Sequence, residues 1–106
     1  MTNEDKELIA DYMGWSYRET DDKKWWNIIG KDGATHLLNS NDASLCVEEM
    51  QKRGEFVGFE VFALTEYQVY NPDMIESDNI VSEYIAWLYN AENFFAALAQ
   101  WLREGK

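Results

Sequence analysis

The sequence predicts an α+β domain: an antiparallel four-stranded sheet with three helices, in the order α-β-β-α-β-β-α. Three observations carry that expectation. Capped stretches of helical periodicity stand at the start, the middle and the end; a hairpin signal sits at Lys31-Asp32-Gly33; and a long run with alternating character spans residues 55–71. The length, 106 residues, fits one globular domain over residues 1–106. With 46% apolar and 15% aromatic residues there is ample material for a core, and more rings than a domain of this size hides completely.

The first helix is expected over "TNEDKELIADYMG". Thr2 or Asn3 serves as N-cap, acids occupy the first turn against the positive end of the helix dipole, and Leu8, Ile9, Tyr12 and Met13 form one stripe. Gly14 then takes the left-handed position after the helix, and Trp15 packs back over Ile9 and Ala10. A polar connection, "ETDDKK", follows. "WWNIIG" and "ATHLL" read as paired strands joined through "KDG", with Gly33 free to adopt a positive φ.

"NSNDASLCVEEMQKRG" reads as the second helix. Its N-cap is Ser40 or Asn41, its stripe is Leu45, Cys46 or Val47, and Met50, and Gly54 ends it. "EFVGFEVFALTEYQVYN" is expected to be a strand with Val57, Phe59, Val61 and Ala63 on one face and Glu60, Glu66 and Gln68 on the other. "NPDMIESDN" is a loop around the only proline. "IVSEYIAWLYN" fits a helix through Val81, Tyr84, Ile85 and Leu88, but its β-branched and aromatic content favours the fourth strand. "NAENFFAALAQWLREG" is the third helix, with Asn90 as N-cap, Phe94, Phe95, Leu98, Trp101 and Leu102 at helical spacing, and Gly105 closing it.

Twenty acids against nine bases give a net charge of −11, which opposes direct binding to nucleic acid or anionic membranes and suits a partner with a basic surface. No stretch reaches the length of a membrane span, and "MTNEDKELIA" lacks the basic start and apolar stretch of a secretory signal. The single cysteine excludes an internal disulfide and agrees with a reducing cytoplasm.

No catalytic pattern stands out. His36 and Cys46 are the single members of a conceivable base and nucleophile pair, but a lone cysteine on a helix stripe reads first as a small buried hydrophobe. His36 lacks the spacing of a metal motif, Asp73, Glu76 and Asp78 lack that of a calcium loop, and Asp21–Asp22 and Glu48–Glu49 are adjacent rather than facing carboxylates. Cofactor and metal sites are therefore not expected. "KKWW" mixes charge and rings as single-strand binders do, but "DDKK" cancels the charge. Tyr67, Tyr70, Trp87 and Tyr89 are the better candidates for a contact with another protein or a second copy, because on two neighbouring strands they cannot all face one core.

Ile9, Ala10, Met13, Gly14 and Trp15, together with the capped middle helix "NSNDASLCVEEMQKRGEF" and the closing helix "AENFFAALAQWL", resemble the phage ABA sandwich domain family, over an outline from about residue 8 to residue 102. The resemblance implies a layered αβα sandwich encoded by phages or prophages and working in the bacterial host cell, with no established activity and no catalytic residue to transfer. The function expected is thus an accessory protein that binds another protein. The alternatives are a nucleic-acid mimic that blocks a DNA-binding protein and a small-molecule-binding domain.

Overall fold

The computed structural model describes residues 2–19, 26–70 and 80–105. Helix α1 (Asn3–Met13) leads to strands β1 (Ser16–Glu19), β2 (Trp26–Ile29) and β3 (Thr35–His36). Helices α2 (Ser40–Lys52), α3 (Phe56–Tyr70), α4 (Ile80–Tyr89) and α5 (Ala91–Gln100) follow, and α5 continues into a π-helical turn over Trp101–Gly105. The class is α+β, but it is mostly helical: a three-stranded antiparallel sheet replaces the expected four-stranded one, and residues 56–70 and 80–89 are helices rather than strands. The αβα sandwich with order α-β-β-α-β-β-α is not the fold.

Local chemistry explains the boundaries. Thr2 caps α1 through a reciprocal box: its hydroxyl accepts from the Asp5 amide and the Asp5 carboxylate accepts from its own amide. At the other end Gly14 takes φ 71°, its amide donates to Asp11 and the Trp15 amide donates to Ala10 at 2.8 Å, which is the expected glycine stop. Helix α2 ends the same way at Gly54 (φ 70°), with the Glu55 amide donating to Met50. Its N-cap, however, is Asn39 rather than Ser40 or Asn41: Asn39 and Asp42 form a second reciprocal box.

The sheet has order β1-β2-β3, with Ser16 opposite Ile29 and Ile28 opposite His36, and it packs against α1. The β2–β3 hairpin is the one "KDG" predicts, closed by the Gly30 amide donating to Ala34 with Gly33 at φ 85°. Strand β1, which the sequence does not announce, has all four residues exposed and so carries no apolar alternation.

The alternation over 55–71 misleads because a period of four underlies it. In α3, Phe59, Ala63 and Tyr67 are buried, whereas Val57 and Val61 on the opposite face are 73% and 61% exposed. The helix divides what a strand would have kept together. Fifteen residues is also long for a strand. In α4, Tyr84 is buried and Trp87 and Leu88 pack on the core, while Ile85 and Tyr89 face outward, so docking against α3 and α5 overrides the β-rich composition.

The core is built around α5, which touches α1, α2, α3 and α4. Phe94 and Trp101 meet the Phe59 ring edge-on at 5.4 and 5.6 Å, and Trp101 meets Tyr12 of α1 at 6.0 Å. Phe95, Leu98, Met50, Cys46 and Ile9 are fully enclosed around them. Beyond Trp101, Arg103 pairs with Asp5, tying the π turn to the start of α1. No helix among the described residues is long and apolar enough to cross a membrane.

Replacing Phe95 by Ala is expected to lower stability by about 3–5 kcal/mol in urea unfolding, because it opens a cavity at a fully buried ring. Val61→Ala, on the exposed face of the same bundle, should stay within about 0.5 kcal/mol of the parent.

Candidate functional site

Two concavities are candidates. The first is a shallow cleft of about 290 Å³ between the α1 terminus, the β2–β3 turn and α2, lined in part by Trp15, Lys31, His36, Glu48 and Lys52. At its base the His36 ring stacks on Trp15, with centroids 4.0 Å apart and planes 10° from parallel. His36 Nδ1 lies 2.6 Å from Asp42 Oδ1, and Asp42 is 5% exposed. The second oxygen of Asp42 accepts from the amides of Leu38 (2.9 Å) and Asn39 (3.3 Å). Gly30 makes room for the ring edge, since a Cβ there would stand 2.3 Å from His36 Nε2.

A histidine fixed by a buried carboxylate is also how catalytic bases are oriented, so its neighbours decide its role. Asp42 is fully occupied in joining β3 to the start of α2. It also holds Leu38 at φ 57°, a conformation that costs a leucine roughly 1–2 kcal/mol. Among the described residues no hydroxyl or thiol nucleophile lines the cleft. Cys46, one turn beyond Asp42, is fully buried, and burial together with the Asp42 charge pushes its thiol up to about 12. Nearby, Arg53 donates from Nε to Glu49 at 2.9 Å, and this bond, reinforced by Lys52 and Lys31, holds the Glu49 carboxyl below its usual range. The His36–Asp42 pair thus joins the sheet to α2 beneath the cleft.

The second concavity is a groove of about 540 Å³ with apolar walls. One wall is α2, presenting Ser40, Ala43, Ser44 and Val47 at helical spacing i, i+3, i+4, i+7. The other is α4, presenting Tyr84, Ile85, Leu88 and Tyr89. Phe56 and Glu60 of α3 and Phe94 of α5 form the floor. Two of its wall hydroxyls are engaged within the chain: Ser44 Oγ donates to the Ser40 carbonyl and Tyr84 Oη to the Glu60 carbonyl, both at 3.3 Å. Burial, with the Glu60 charge nearby, pushes the Tyr84 phenol up to about 12. Among the described residues Glu60 is the one charged residue lining the groove. At the rim Ile85 is 42% exposed and Tyr89 79%.

The rings singled out from the sequence separate. Tyr67 is buried, packing at 5.8 Å from Tyr84 and 5.4 Å from Trp87, so Tyr67 and Trp87 join α3 to α4 inside the fold. Of the three whose side chains are described, Tyr89 stands at the groove rim; the Tyr70 side chain lies outside the described residues. His36 meets Asp42, not Cys46. Asp21, Asp22, Lys23, Lys24, Trp25, Asp73, Glu76 and Asp78 lie outside the described residues. Among the described residues no group of histidine, cysteine and carboxylates is placed to hold a metal. Sequence reasoning missed Asp42, whose signal was the Asn39-x-x-Asp42 capping spacing, and the small-residue face Ser40, Ala43, Ser44.

No family model, no curated protein and no solved structure matches this chain. The resemblance noted above therefore stands on Ile9, Ala10, Met13, Gly14 and Trp15 and on the two helices quoted with them, and these residues do cap and fill the α1 end of the fold.

Asp42→Ala strands the His36 ring and two amides, and should cost about 2–4 kcal/mol in chemical denaturation. In the native protein Cys46 should react with a thiol reagent no faster than the fold opens. Its labelling rate should then rise in step with urea-induced unfolding followed by circular dichroism.

Proposed function

We propose that this chain is a protein-binding domain that recognises a partner with a basic surface through the groove between α2 and α4. The supporting observation is the groove itself: an apolar concavity whose rim leaves Tyr89 and part of Ile85 exposed, in a chain of net charge −11. Burying such a rim against a partner removes apolar area from water, while the acidic field speeds encounter with a cation-rich surface and disfavours anionic ones. Tyrosine at the edge of a desolvated patch is a common anchor of protein contacts.

The experiment compares wild type with Ser44→Trp, which places an indole into the groove from an exposed position on α2. Both are immobilised and exposed to bacterial lysate at moderate salt, with bound proteins identified by mass spectrometry. A protein held by wild type and lost from Ser44→Trp, with unchanged circular dichroism, is the expected result. Capture of nothing, or of the same set by both, overturns the reading.

A further inference from the structure

The groove has the dimensions and the surroundings of a missing helix. Helices α2 and α4 both pack on α3 and α5, and the space between them is floored by Phe56 and Phe94. The α2 wall from Ser40 to Val47 runs about 10 Å, roughly two turns. That length matches the anchors an amphipathic helix presents at i, i+3 or i+4, and i+7. Three of the four residues on that wall are Ser or Ala, so a docking backbone can approach α2 closely, while Ile85, Leu88 and Tyr89 offer larger side chains opposite.

Charge decides which helix. α3, α4 and α5 carry Glu60, Glu66, Glu83 and Glu92 and no lysine or arginine. Glu60 is the one charged residue lining the groove among the described residues, so its carboxylate is the group that calls for an opposite charge from the occupant. A second copy of this chain would bring its own charge of −11 to the interface and face like charge across it. An amphipathic helix with lysine or arginine beside its apolar stripe meets both requirements: apolar anchors for the walls and a cation for Glu60.

We infer that the groove binds one cationic amphipathic α-helix of a partner protein. The apolar face of that helix packs between α2 and α4, and a basic side chain reaches Glu60. This rests on the reading above of the groove as a protein-binding site and names the partner's chemistry.

The test uses three synthetic fluorescent peptides of about 14 residues: a leucine–lysine amphipathic helix, a scrambled leucine–lysine peptide of the same composition, and a leucine–glutamate helix of the same pattern. Binding to the full chain is read by fluorescence anisotropy at physiological salt. The leucine–lysine helix should bind, with affinity falling about tenfold or more on Ser44→Trp or Tyr89→Ala and about threefold or more on Glu60→Gln. The other two peptides should not bind measurably. Tyr89 is mostly exposed, so its removal leaves the fold intact and keeps the test meaningful should Ser44→Trp disturb α2. Equal binding of the scrambled peptide, or indifference to both groove substitutions, overturns the inference by reducing the attraction to net charge. If the peptide fails while Ser44→Trp still strips proteins from the lysate capture, the helical class falls and the protein-binding reading stands. If both fail, both fall.

Discussion

The structure depends on the burial of the apolar residues of α5. Phe94, Phe95, Ala97, Leu98 and Ala99 are all shielded, together with Trp101 just beyond, and a helix apolar around so much of its circumference cannot rest on a single surface. It needs neighbours on several sides, and α1, α2, α3 and α4 supply them. The mixture of alanines and rings sets the spacing. Alanine lets a neighbouring backbone approach, whereas Phe94 and Trp101 reach out to Phe59 and Tyr12 and fix where α3 and α1 can lie. The sheet is secondary to this arrangement, packed on α1 and held to α2 by the His36–Asp42 bond.

What could be read from the amino-acid order was what neighbouring residues decide among themselves. Gly14 and Gly54 stop their helices, Thr2 and Asn90 start theirs, and Gly33 turns the hairpin, because each of these depends on backbone geometry within a few positions. Residues 56–70 were misread because apolar side chains run nearly around the helix, so alternate positions such as Val57 and Phe59 look equivalent until packing sends one outward and one inward. Residues 80–89 were misread for a related reason: their composition suits strands, and only contact with α3 and α5 selects the helix. The groove was illegible because it belongs to no single segment. It exists through the relative placement of four helices, and of the described rings picked as partner contacts Tyr89 is the one found at it.

The two concavities show how similar ingredients serve different ends. Around His36 the ring and both Asp42 oxygens have partners within the chain, and the outcome is a joint between sheet and helix. Between α2 and α4 the Ser44 and Tyr84 hydroxyls bond within the chain, but apolar side chains and, among the described residues, a single carboxylate remain open at the surface. A surface that stays apolar in a chain so rich in acids is protected from casual self-association by the repulsion between copies.

The contact between the two ends of the chain also bears on how the protein is made. Arg103 meets Asp5 across 98 positions, and the rings that organise the core belong to residues 94–101. During synthesis α1, the hairpin, α2 and α3 therefore emerge from the ribosome without the helix that would cover their apolar faces. Until residues 91–101 leave the exit tunnel, Ile9, Met50 and Phe59 lack the helix that shelters them, and the core cannot close before it arrives.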